Sequence, residues 1–254
     1  MKNYNFSDFF CLLKSELLFS CYSWMKIVAQ PIVFSMLYFF IIKIIMNKSV
    51  NENADYLTFI ASGIIFQNMC NFAIITTSSS IFQRKISNSF DSVLVAPISN
   101  FRVIVAFMVG GVLRSLLIGM IIYTAAFMSL DIHVYSLMEI LFTTLLSLCF
   151  FSLIGVCIGL YITKFETLSN FSMFFLSPIM MISGVFSDVG NYQNIFKYLV
   201  YSNPFYWLLC FFRAGFIGGI FKYGSVLTLI IIALVYGLYF YTSILLSHKE
   251  RQHI

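Results

Sequence analysis

The run Ile81-Phe-Gln-Arg-Lys-Ile-Ser-Asn-Ser-Phe90-Asp-Ser-Val-Leu-Val-Ala-Pro97-Ile-Ser-Asn-Phe-Arg102 is the longest internal segment of this chain that hydrocarbon cannot hold, and apolar runs flank it on both sides. Phe82, Ile86, Phe90, Val93 and Pro97 recur at helical spacing, whereas Gln83, Arg84, Lys85, Ser87, Asn88, Asp91 and Ser92 fall largely on the other side. This pattern predicts a short amphipathic helix over about 82–95, lying along a membrane face with its polar side open to the cytosol. Pro97 stops it.

Composition sets the class around this stretch. The 254 residues are 60% hydrophobic and 10% charged, with a mean hydropathy of +0.92, against roughly 25% charged residues in an ordinary soluble domain. The chain therefore reads as an all-α integral membrane protein. Its net charge of +5 does not point to nucleic acid, because the fifteen Lys and Arg stand singly at the edges of apolar runs, as topology determinants do. The six cysteines form no Cys-x-x-Cys pair and the three histidines are far apart in sequence, so metal and triad chemistry find little support. No Gly-x-x-x-x-Gly-Lys-[Ser/Thr] run occurs, so the chain is not expected to cradle ATP, and no cofactor, metal or catalytic residue is expected in it.

Working outward, the N-terminal side opens with an interfacial helix over 8–22, in which Lys14, Ser15 and Glu16 interrupt a leucine- and phenylalanine-rich run. Trp24 and Lys26 mark a membrane boundary. Six spans are expected, at about 27–45, 56–80, 103–130, 135–162, 168–185 and 223–246. The first would rise roughly 28 Å, close to the ~30 Å of a hydrocarbon core. Gln67 and Asn71 share a stripe of the second span with Gly63 and Ser78, which suits helix packing or a pathway lining. On the third span Gly111, Ser115 and Gly119 recur every fourth residue, and Arg114 lies about 18 Å of rise beyond Arg102. An arginine that deep needs a partner: Gln67, Asn71, an inner water layer, or Glu139 if both side chains reach along their helices. Gly155 and Gly159 make a Gly-x-x-x-Gly contact in the fourth span, and Pro178 is expected to kink the fifth.

Residues 186–221 are too many for a turn and too broken for a span. They read as two short helices, about 192–201 and 205–215, re-entering the outer leaflet to close the external mouth of a pathway, with Asn203, Pro204, Trp207 and Arg213 at the gate. Tyr201, Tyr206 and Trp207 serve equally well as an aromatic belt. Six spans put both termini on one side, and placing nine basic residues inside against four outside puts that side in the cytosol.

The runs Phe82-Gln83-Arg84-Lys85, Val93-Leu94-Val95-Ala96-Pro97 and Gly110-Gly111-Val112-Leu113-Arg114, then Ser183-Gly184-Val185-Phe186, Asn203-Pro204-Phe205 and Phe212-Arg213, resemble in order and spacing the permease subunit of ABC-2 type exporters. The resemblance covers nearly the whole chain. It implies a permease homodimer in the lipid of a bacterial inner membrane, with two ABC ATPase subunits beneath it that bind ATP and Mg. It also implies that the amphipathic stretch is the coupling helix, which assigns Phe82, Gln83, Arg84, Lys85, Phe90, Asp91, Leu94 and Pro97 to ATPase coupling. Nucleotide-driven closure would then push this stretch and tilt the second and third spans that it joins. Two alternatives stand beside this reading: an ATP-independent carrier, which would favour inverted repeats and embedded carboxylates, and a non-transporting membrane scaffold. Drugs, lipids and glycans all remain open as substrate.

Overall fold

The computed structural model describes residues 6–46, 54–95, 99–130, 134–162, 164–186, 189, 194–218, 230–232 and 234–244. Every regular element among them is helical. The first, α1 (Phe6–Met46), is a single helix of 41 residues, whose rise of about 62 Å is twice a hydrocarbon core. No break separates the expected interfacial segment from the first span. Pro31 lies within the helix, which continues past it.

Beyond it, α2 (Ala54–Ile86) runs six residues past the expected end of the second span and takes Phe82 to Ile86 with it. Ser87 and Asn88 then turn the chain into α3 (Ser89–Val95), with Asn88 at φ 53°. Asparagine tolerates that left-handed conformation better than most side chains. The single amphipathic helix expected over 82–95 is thus corrected to the last turn of one helix, a two-residue turn and a second helix. The cause is local: the Ser87 and Ser89 hydroxyls lie 3.3 and 3.4 Å from Arg84 O and 2.7 Å from each other, so that one donates to this carbonyl and the other to its neighbouring hydroxyl. They offer the backbone an alternative to the helical ladder.

Two long apolar helices follow, α4 (Asn100–Ser129) and α5 (Leu137–Tyr161). Together with α2 they are the three described helices long and apolar enough to cross a membrane. The expected count of six is not reached among the described residues, where 32–44, 204–217 and 230–244 supply only shorter apolar stretches. The fifth span is segmented: α6 (Phe165–Phe171), a π-helical turn (Ser172–Leu176) and α7 (Ser177–Ile182) follow one another. Pro178 sits in the first turn of α7 and cannot donate back along the helix, so the wider turn ahead of it absorbs the mismatch. Two short helices come next, α8 (Asn194–Tyr201) and α9 (Pro204–Ile217). Parts of the expected sixth span, 223–229, 233 and 245–246, lie outside the described residues, while 230–232 and 234–244 are helical.

The bundle is built around α2, which packs against α4, α5 and α9. Small residues permit the approach. A Cβ on Gly155 would stand 2.8 Å from Ile74 O, one on Gly159 would stand 3.1 Å from Ser78 O, and Gly111 faces Thr77 and Ser152 with no room for a side chain. Ser115 is fully buried and donates to Gly111 O at 2.7 Å within its own helix. The three glycines sit at close helix–helix contacts, and Gln67 and Asn71 lie half-buried on α2.

Candidate functional site

Two polar clusters lie at opposite ends of the bundle. The first forms where α2 ends, and its centre is a residue that the pattern of spans does not single out. Glu16, on α1, is fully buried. Its Oε1 accepts from Arg84 Nε at 2.5 Å, and its Oε2 accepts from Ser80 Oγ at 2.5 Å. Arg114 Nη2 stands 3.6 Å from the same Oε2, in ion-pair range. Arg84 Nη2 also donates to Ser15 Oγ at 2.8 Å, and its guanidinium carbon lies 5.7 Å from the centre of the Phe107 ring. One carboxylate therefore joins α1, α2 and α4. A charge in so apolar a setting persists only when paired and hydrogen-bonded, and Glu16 has both.

The adjacent cation turns the other way. Lys85 Nζ donates to Gly159 O at 2.5 Å, Leu160 O at 2.6 Å and Ile162 O at 3.2 Å, which caps the end of α5. Free carbonyls and the negative end of the helix dipole suit an ammonium there. Arg84 and Lys85 thus face inward from the end of α2, although their place on the polar side of the stretch predicts solvent. Phe82 packs with Ile162 and Leu168, and Phe90 with Ile81, Val103, Ile104 and Phe107. Gln83 is half-buried, and Asp91 is exposed beside Ile86, Ser87, Asn88 and Ser92. Pro97 and the side chain of Leu94 lie outside the described residues.

Arg114 finds its carboxylate on α1, and the proposed pairing with Glu139 is corrected. Glu139 is exposed in the first turn of α5, at the far end of the bundle, whereas Gly111 sets this part of α4 level with Thr77. The only sequence signal for Glu16 is a carboxylate set among Leu12, Leu13, Leu17 and Leu18.

The second cluster joins α9 to α2 and the end of α7. Arg213 is 6% exposed and donates to Phe59 O at 3.2 Å, Gly184 O at 2.8 Å and Val185 O at 2.7 Å, with its guanidinium carbon 3.5 Å from the centre of the Phe59 ring. Gly63 leaves room for it, since a Cβ there would come within 2.6 Å of Nη2. Asn203 caps α9 by accepting from Phe205 N at 3.0 Å, and its amide donates to Ser183 Oγ at 2.6 Å. Pro204 opens the helix, where its missing N–H costs least. Trp207 Nε1 donates to Tyr201 O at 2.8 Å within a stack that includes Tyr206. The structure brings 183–186, 203–205 and 212–213 together, far apart as they are in sequence.

Long apolar helices, a buried ion cluster at one bundle end and a hydrogen-bonded arginine knot at the other define a helical integral membrane protein. The family described as ABC-2 type transporter matches residues 7–217, and the chain belongs to that family. It is similar to the inner membrane transport permease YadH of Escherichia coli K12, at 26% identity over 77% of each chain. The YadH proteins of Escherichia coli O157:H7 and Shigella flexneri match at the same identity and coverage.

Proposed function

We propose that this chain is the membrane-spanning permease subunit of an ATP-driven ABC-2 type exporter of a bacterial inner membrane. In this reading two copies form the pathway, six spans place both termini in the cytosol, and two separate ATPase subunits that bind ATP and Mg dock beneath them. Family membership and the similarity to proteins named inner membrane transport permeases support it.

The observation that carries the proposal is the α2–α3 hairpin. Its tip presents Ile86, which is 66% exposed, together with Ser87, Asn88, Asp91 and Ser92. Its base is held by Arg84 to α1 and by Lys85 to the end of α5. An exposed tip on an anchored base is what a soluble motor needs to move several helices at once. Docking then belongs to the tip, with Asp91 among its residues and Gln83 at its edge. Phe82 and Phe90 seat the hairpin, Arg84 and Lys85 transmit its motion, and Leu94 and Pro97 are assigned to the coupling stretch by the family resemblance alone. At the opposite end, Asn203, Pro204, Trp207 and Arg213 shape an outer gate from α8 and α9.

Purification of the tagged chain in mild detergent tests the proposal. An ABC ATPase is expected to copurify, and Ile86→Asp or Asp91→Arg is expected to weaken its binding by at least about tenfold, or about 1.4 kcal/mol. Solute movement by the chain without any ATPase would support a carrier instead, and a stable complex with a different protein and no transport would support a scaffold.

A further inference from the structure

We propose that the α5–α6 junction is a second docking point for the soluble partner, beside the α2–α3 tip. Its Lys164 and Glu166 pair there with an acidic and a basic side chain of the ATPase. This rests on the proposed ATPase coupling and extends its docking surface to a second part of the bundle.

The junction is fastened to the base of the hairpin. Lys85, the residue before the exposed Ile86, donates to Gly159 O, Leu160 O and Ile162 O at 2.5, 2.6 and 3.2 Å. Phe82 packs against both Ile162 and Leu168. Those two side chains are buried, whereas Lys164, Glu166 and Thr167 between them are exposed. Thr167 N donates to Lys164 O at 3.2 Å, which fixes Lys164 to the first turn of α6. Two opposite charges thus stand at the same bundle end as Ile86 and Asp91, on backbone that the hairpin base already grips. Topology alone accounts for a lysine on the cytosolic side, but acidic residues contribute little to orientation, so it does not account for Glu166.

The far ends of these elements are joined as well. Arg213 donates to Phe59 O, near the start of α2, and to Gly184 O and Val185 O, just beyond α7. The α6–α7 segment is therefore tied to α2 at both ends, by Phe82 with Leu168 at one and by Arg213 at the other. A load on the hairpin tip alone would shear one strut against the other. A partner seated on both moves them together.

Association kinetics between the full chain in mild detergent and the ATPase that copurifies with it test the proposal. Lys164→Glu and Glu166→Lys should each slow association by at least about threefold at low salt, with the difference shrinking as salt is raised. The double variant K164E/E166K keeps the net charge and should bind more weakly than either single variant. All three should unfold at the midpoint of the unmodified chain, because both side chains are exposed. Unchanged association in the double variant would overturn the second docking point, as would a loss of binding matched by a fall in the unfolding midpoint. If Asp91→Arg weakens binding while the junction variants do not, the second docking point fails and the proposed function stands. If no ATPase binds the unmodified chain, both fall.

Discussion

Arg213 satisfies three backbone carbonyls from two other parts of the fold while lying against the Phe59 ring. Each buried carbonyl left without its donor costs about 1–3 kcal/mol, so Arg213→Met is expected to destabilise the protein by at least about 3 kcal/mol in denaturant titrations in detergent. Arg213→Lys should recover less than half of this, because a single ammonium cannot reproduce the planar fork. Sequence marked Arg213 through its place beside Phe212 in a run of family character. Its partners were not legible, because Gly184, Val185 and Phe59 contribute carbonyls, which every residue type possesses. Glu16 presents the opposite case. Its chemistry was visible as a carboxylate in a leucine-rich run, but the arginines that explain it lie on two other helices and no local periodicity connects them.

At the scale of elements, α2 and its hairpin decide how motion would travel. Lys85 closes the end of α5 with three contacts, so Lys85→Met should leave those carbonyls to water or to strain. Stability should fall by roughly 1–2 kcal/mol, the upper range for a cation at a helix end. Hydrogen exchange should accelerate in the last turn of α5 and at the tip of the hairpin, while the Arg213 knot at the far end stays protected. Equal loss of protection at both ends would show that Lys85 acts on the whole bundle and not on this joint. The long helices were legible from their apolar length, and the tight packing of α5 on α2 from Gly155 and Gly159. The break at Ser87 and Asn88 was missed because Phe82, Ile86 and Phe90 keep helical spacing across it. Phe82 and Phe90 are buried in separate apolar clusters on either side of the turn, so a periodicity that looked like one amphipathic helix is shared by two. The continuity of α1 was obscured for a related reason, since Trp24 and Lys26 signal a change of solvent rather than a change of backbone.

For the whole molecule, the proposed transport cycle requires that a soluble motor press on one end of the bundle and that the press reach the other. The α2–α3 tip is the exposed point, the Glu16 and Lys85 contacts tie it to α1, α4 and α5, and α2 runs from there to the Arg213 knot. The measurement that tests this most directly is photo-cross-linking in intact membranes from a reactive side chain at Ile86, with Met128 as the control. Met128 is 86% exposed near the end of α4 and far from the hairpin. The account predicts a covalent adduct between position 86 and an ABC ATPase subunit, and none from position 128. Failure of position 86 to capture an ATPase, in membranes where the chain is present and folded, would contradict it.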